Sequence, residues 1–258
     1  MNDNSPETVP IPPAIIRSSF WAASRRRRRP AILIALLVGL VLFILWMPSG
    51  TRASLWADLM DQRELVILLF VFALLTLSLI WSAGQRIDTW VFTLFNMRGY
   101  PQWLDRFMWL VTQLGSMLAA FIVALVFFVF DYRDLAVEII LGTLTLWLLV
   151  ETIKALADRQ RPFHTLGKTR VIGWQEKGDS FPSGHTTQIF FMATFFIHHF
   201  TPGMTEVIAL YAVAALVGFT RIYVGAHYPR DVIAGLVLGS VWGILAALMT
   251  PYWLVLRF

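Results

Sequence analysis

The sequence predicts an all-α fold, a polytopic transmembrane helical bundle, on three grounds. Of 258 residues, 57% are hydrophobic and 14% charged, and the mean hydropathy is +0.66. That balance leaves too little polar side chain to cover a water-soluble globule of this size. Apolar runs long enough, or nearly long enough, to cross a bilayer recur along the chain. Eleven Trp and 20 Phe suit a surface that meets lipid and helix ends that need interfacial anchors.

The elements follow in order. Residues 1–30 are expected to form a mobile basic tail, polar and Pro-bearing at first ("NDNSPETVPIPP") and ending in the run Arg25 to Arg29. That basic block abuts an apolar run and reads as a cytoplasmic flank held by anionic headgroups. A nucleic-acid patch would need interleaved aromatics or an RNA-binding signature, so no nucleic-acid partner is expected. "WMPSGTRASLW" offers no small-x-small cleavage site, and the segment is expected to be retained. Residues 31–258 read as one transmembrane domain without internal repeats. Its apolar runs are Ala31–Met47, Leu65–Trp81, Met108–Phe130, Leu135–Ala155, Gln188–Phe200, Val207–Phe219 and Val232–Met249. The fifth and sixth are short, but polar residues that would face the bundle interior can extend them. Asp88–Phe95 is too short to span and suits a helix lying in the interface, ended by Gly and Pro in "MRGYP".

Cysteine is absent, which excludes disulfides, thiolate nucleophiles and Cys-based metal sites. The chemistry-bearing residues gather around one polar connection, Asp158 to Phe181, longer than the other loops. In "KALADRQRP", Lys154 and Arg161 are seven residues apart, so a helix would project both cations from one face, with Pro162 marking its end. Alone, they read equally as two snorkelling side chains.

In "FPSGHTTQ", Gly184 permits close backbone approach and Ser183 brings a hydroxyl. The amides opening the next helix make an anion site with His185 at its rim. Alone, this is ordinary turn-and-cap chemistry. In "TRIYVGAHYPRD", Arg221 closes an apolar run, and His227 and Asp231 are four residues apart, with Pro229 placing Asp231 in a first helical turn. A carboxylate on one ring nitrogen would leave the other as a nucleophile or base. The three clusters share one membrane face, because each pair of spans that carries them is joined on that side. Together they describe a site that binds a phosphate and transfers it.

Lys154-x6-Arg161-Pro162, Pro182-Ser183-Gly184-His185 and Arg221-x5-His227-x3-Asp231 resemble the tripartite signature of the type 2 phosphatidic acid phosphatase superfamily. Thr220 stands where that family usually has Ser. The resemblance covers about the second half of the chain and implies a six-helix core, with the first run as an extra N-terminal span. It implies that His227 attacks phosphorus to give a phosphohistidine while Asp231 orients and polarises it. His185 would protonate the leaving group and then activate water. Lys154, Arg161, Arg221, Ser183 and Gly184 would bind the phosphate oxygens. No cofactor and no metal is implied.

The enzyme expected is a metal-independent phosphoric monoester or diphosphate hydrolase of the bacterial cytoplasmic (inner) membrane, multi-pass, acting on a membrane lipid phosphate. Undecaprenyl diphosphate, phosphatidylglycerol phosphate, phosphatidic acid and lipid A phosphates all remain open as substrates, and the oligomeric state is unread. The alternatives are phosphotransfer to another lipid and non-catalytic anion or lipid binding. Lys168, Arg170 and Lys177 read as a solvated loop, Asp158 as a partner of Arg159 or Arg161, and His198 and His199 as interfacial. Arg25–Arg29, Arg86, Arg98 and Arg106 place the site face in the cytoplasm if all seven runs span; the resemblance favours an outward site.

Overall fold

The computed structural model of the protein describes residues 48–79 and 82–255, with 38, 39, 42, 45 and 46. The tail 1–30 lies outside the described residues, as does most of the Ala31–Met47 run. The chain divides into two compact units, Met1–Ala53 and Ser54–Phe258. The helices are α1 (Ser49–Asp61), α2 (Arg63–Ser78), α3 (Ser82–Asn96), α4 (Gln102–Thr112), α5 (Met117–Val129), α6 (Arg133–Ala157), the single turn α7 (Pro162–Thr165), α8 (Gly184–Phe200), α9 (Met204–Tyr223) and α10 (Pro229–Val255).

Among the described residues three helices are long and apolar enough to cross a membrane, or up to five spans if each of two bent pairs counts as one. The protein is a multi-pass membrane protein, and its outer faces show it. Leu118 and Leu125 on α5, Leu144 and Leu148 on α6, and Ile208 and Val213 on α9 all point outward, where hydrocarbon rather than water satisfies them. Two short runs lengthen as expected. α8 starts four residues before Gln188, with Thr186 and Thr187 buried, and α9 runs on to Tyr223, with Thr220 and Arg221 buried.

The Met108–Phe130 run is not one straight span. It breaks at a 3₁₀ turn over Gln113–Gly115 and bends by 59°. Ser116 restarts the helix by accepting the Ala119 N–H at 3.1 Å. The Asp88–Phe95 expectation becomes the longer α3, whose Phe92, Asp88 and Asn96 are buried, so it packs into the bundle.

The tightest seam lies between α8 and α10. Gly235, Gly239 and Gly243 recur every fourth residue of α10, one face of a helix. A Cβ at Gly235 would come within 2.8 Å of the Ser183 carbonyl, at Gly239 within 2.3 Å of the Thr187 carbonyl, and at Gly243 within 2.7 Å of Thr194 Cβ. The two backbones therefore touch, which lets the start of α8 lie against the start of α10. Phe191 and Phe195 on the far side of α8 pack with Ala120, Ala124, Ile139 and Leu146 of α5 and α6. Gly142 receives the Phe191 ring.

Replacing Gly239 by Ala is expected to separate these helices and cost about 1–3 kcal/mol. Gly167→Ala, where nothing lies within 4 Å of the added carbon, should cost little. Thermal unfolding of the two purified variants in detergent checks this; equal midpoints would refute the seam.

Candidate active site

The three sequence clusters meet at one end of this seam. Backbone ties them: the Ser183 N–H donates to the Asp231 carbonyl at 3.0 Å, and the His227 N–H to the Arg221 carbonyl at 3.1 Å. Arg161, Ser183, Arg221, His227 and Asp231 are all nearly or fully buried.

Lys154 and Arg161 do not share a helix face as the spacing predicts. Helix α6 stops at Ala157, Asp158 turns into the left-handed region at φ 52°, and Arg161 is extended ahead of α7. Pro162 forbids the helix to run through Arg161, and the turn points the guanidinium inward. Arg161 Nη1 donates to the Ala226 carbonyl at 3.2 Å and approaches His227 Nε2 at 3.2 Å. Its Nε donates to the Gly178 carbonyl at 3.0 Å. Lys154 Nζ pairs with Glu151 at 2.7 Å and lines a cavity with Gly184 and His185.

The tautomer of His227 follows from its neighbours. Arg161 can only donate, so Nε2 accepts; Nδ1 then carries the proton and donates to the Ser180 carbonyl at 2.8 Å. Asp231 does not hold this ring directly, contrary to expectation: its Oδ2 lies 3.8 Å from Nδ1, beyond hydrogen-bond reach. The Ser180 hydroxyl stands between, donating to Asp231 Oδ2 at 2.5 Å and lying 3.4 Å from Nδ1. Asp231 also accepts the Tyr228 N–H at 2.9 Å, as an acid in a first helical turn does.

Its other oxygen accepts from Arg159 Nη1 at 2.5 Å. Arg159 reaches on to Asp88 of α3, which also accepts from Arg230 Nε at 2.6 Å. Asp88 thus sits between two guanidiniums, its side chain 2% exposed.

Ser183 is fully buried, and its Oγ accepts from Thr186 at 2.9 Å, which holds the helix start and leaves its own O–H to donate. Thr220 turns its hydroxyl back to the Val217 carbonyl at 2.6 Å, away from the site. The loop residue Arg170 is only partly solvated, its side chain 25% exposed. It forms two bonds to Asp105, at 2.7 and 2.8 Å, and stacks on Tyr100 and Tyr223. It pins the loop, while Lys168 and Lys177 are exposed.

Sequence reasoning passed over Glu176. Its Oε2 accepts from Arg161 Nη1 at 2.8 Å and lies 3.7 Å from His227 Nε2. Its Oε1 accepts from Arg221 Nη2 and lies 3.7 Å from His185 Nδ1. One carboxylate therefore touches two cations and faces both imidazoles. Burial pushes the Glu176 carboxyl up, but the Arg221 guanidinium holds it well below the usual carboxylate range. Arg221 Nη1 donates to Thr112 at 2.7 Å, while its buried Nε has no hydrogen-bond partner.

Fold and site together define a class: a membrane helical bundle with a cation-lined anion seat and two imidazoles at the ends of its spans. Residues 135–254 match the family model of the PAP2 superfamily, and this segment of the chain belongs to that superfamily. Curated relatives include a lipid A 1-phosphatase of Rhizobium johnstonii, 38% identical over 106 residues, 40% of this chain and 42% of that protein. An undecaprenyl-diphosphatase of Sulfolobus acidocaldarius is 30% identical over 108 residues, 42% of this chain and 52% of that one. The chain thus spans about half the length of these curated relatives or less.

Solved structures match over more of the fold. The transmembrane PAP2-type phosphatidylglycerolphosphate phosphatase of Bacillus subtilis has a TM-score of 0.63 at 25% identity, covering 75% of this chain and 98% of its own. Aquifex aeolicus LpxE has a TM-score of 0.54 at 29% identity, covering 62% and 94%.

Two outcomes follow from these charges. Asp88→Asn leaves Arg159 and Arg230 without their shared anion and is expected to cost about 3 kcal/mol in unfolding free energy; an unchanged midpoint would refute the cluster's role. The depressed Glu176 carboxyl stabilises the fold fully above the ordinary glutamate value of 4.5, and this is lost as pH falls below it. The gap in melting temperature between wild type and Glu176→Gln should therefore be constant near neutrality and shrink below about pH 4.5. A gap that widens on acidification would contradict this.

Proposed function

We propose that the protein is a membrane lipid phosphatase that removes a terminal phosphate through a phosphohistidine on His227. The observation that carries the reading is the Glu176 carboxylate: an anion at this point contacts Arg161 and Arg221 and faces both imidazoles. The orphaned Arg221 Nε adds an unused donor. A phosphoryl group placed there meets cations on its non-bridging oxygens, where charge redistributes as it transfers.

In the proposed reaction the Nε2 lone pair of His227 forms the N–P bond as the P–O bond to the lipid, or to the remaining phosphate of a diphosphate, breaks. His185 gives the leaving oxygen its proton. Water then attacks phosphorus, His185 takes the water proton, and the N–P bond breaks to release inorganic phosphate. Ser180 positions His227 by fixing Nδ1–H, and Asp231 acts through the Ser180 hydroxyl. Arg161, Arg221, Lys154 and the Gly184 backbone hold the oxygens. Among the described residues no three His, Asp or Glu side chains are grouped as metal ligands.

The substrate class is a lipid bearing a terminal phosphate or diphosphate: phosphatidylglycerol phosphate, undecaprenyl diphosphate, phosphatidic acid or a lipid A phosphate. The relatives' names support the class. We place the protein in the cytoplasmic membrane with the site facing outward. Alkaline phosphatase fused into the 158–181 loop is expected to be active, whereas a fluorescent cytoplasmic reporter there would reverse the orientation.

Purified protein incubated with each lipid phosphate, EDTA present, is expected to release inorganic phosphate. His227→Ala should lower the rate at least about a thousandfold. Phosphate release that survives in His227→Ala would remove the mechanism. Radiolabel appearing in a lipid acceptor instead of inorganic phosphate would make the enzyme a phosphotransferase.

A further inference from the structure

Glu176 is not one of the residues that bind and attack a phosphate in the proposed reaction, yet its carboxylate stands where that phosphate must sit. Its two oxygens engage the two buried guanidiniums and lie 3.7 Å from each imidazole. It also stands at the junction of two cavities that both include Glu176 and His185. One of about 190 Å³ runs past Lys154 to Leu146, Trp147 and Val150 of α6. The other, of about 350 Å³, opens past Thr112 and Arg221 to Trp109 and Trp174. A headgroup arriving by either route meets the same carboxylate. The segment that carries it, "GWQEKG", is bounded by Gly173 and Gly178 at φ 81° and 85°, a region of backbone space open chiefly to glycine.

Charge decides what can replace it. Lys154, Arg161 and Arg221 bring three positive charges, and Glu151 and Glu176 contact them with two negative ones. A phosphodiester headgroup carries one negative charge, so exchanging it for the carboxylate leaves the electrostatics of the seat unchanged and gains nothing for the displacement. A terminal phosphate carries close to two charges near neutrality and has three non-bridging oxygens, so it gains both charge and donors, including the unpaired Arg221 Nε.

We propose, on the phosphatase reading above, that Glu176 is a specificity-determining residue, an internal anion that keeps the phosphate seat from the bilayer's monoanionic phosphodiesters and yields to a dianionic terminal phosphate. Binding then swings the Gly173–Gly178 segment out of the seat.

The test is calorimetric binding of inorganic phosphate and of dimethyl phosphate to the full-length protein in detergent. Wild type is expected to bind phosphate and not dimethyl phosphate. Glu176→Gln should bind phosphate about tenfold tighter or more, because the seat no longer spends most of its time filled, and should now bind dimethyl phosphate. Phosphate binding by Glu176→Gln no tighter than wild type, or no gain of dimethyl phosphate binding, would overturn the proposal.

Should that variant not fold, hydrogen–deuterium exchange on wild type decides. Phosphate should speed exchange of the 173–178 amides, and unchanged or slowed exchange overturns the displacement. Absence of phosphate binding in both proteins would overturn the phosphate seat itself. Tighter binding by Glu176→Gln without phosphate release from any lipid would sink the hydrolase reading alone.

Discussion

The close approach of α8 to α10 is the constraint on which everything else rests. Three glycines on one face of α10 bring that face within contact of the α8 backbone, the Ser183 and Thr187 carbonyls among the nearest atoms. In a bilayer, where apolar burial drives helices together little, such close packing is what holds a helix pair. The consequence is chemical as well as mechanical. With the helix starts side by side, the Ser183 amide bonds the Asp231 carbonyl, and the backbone of the Pro-Ser-Gly turn is indexed to the backbone that carries His227. Main-chain contacts thus tie together the segments that carry the functional side chains.

Charge burial imposes the second layer. A carboxylate as enclosed as Asp231 would lose ionisation unless cations and donors replaced its water. Arg159, the Ser180 hydroxyl and the Tyr228 amide do so, and Arg159 in turn is balanced by Asp88, which is shared with Arg230. The chain of charges runs from the site to α3. This gives α3 a reason to pack inward instead of floating in the interface, and it ties the first half of the chain to a site drawn from the second.

Much of this was legible in the sequence, and the remainder was not for a common reason. Motif spacings announced Lys154, Arg161, His185, Arg221, His227 and Asp231, because each cluster is local and its residue types are unusual in an apolar chain. What spacing cannot express is which residue distant in sequence fills the gaps between clusters. Glu176, Ser180, Asp88 and Thr112 reach the site across separations such as 45, 47, 71 and 109 residues. The helical seven-residue argument for Lys154 and Arg161 failed because Asp158 reverses the backbone before Pro162. The helix start at Pro229 and the place of Asp231 in its first turn were legible, but the direct Asp231–His227 bond was not met because Ser180, 51 residues from Asp231 in sequence, stands between them. The glycine repeat of α10 was present in the sequence and would have been found by asking what a small residue every fourth position does in a membrane.

The same geometry explains how one buried imidazole can be both protected and reactive. His227 is fully enclosed, which would ordinarily make a ring inert; the reactivity proposed for it depends on a lone pair left facing an anion seat. Ser180 claims the Nδ1 proton through its carbonyl and claims Asp231 through its hydroxyl, so it fixes the tautomer together with Arg161 and stands between the ring and the carboxylate. Were Asp231 bonded directly to Nδ1, the pair would share the burden of orientation and of charge. With Ser180 interposed, the carboxylate lies 3.8 Å from Nδ1, near enough to favour the positive charge that the proposed transfer to phosphorus would develop on the ring. Orientation is thereby carried by the Ser180 backbone carbonyl and the link to the carboxylate by its hydroxyl, so a change of the Ser180 side chain removes the second while leaving the first in place.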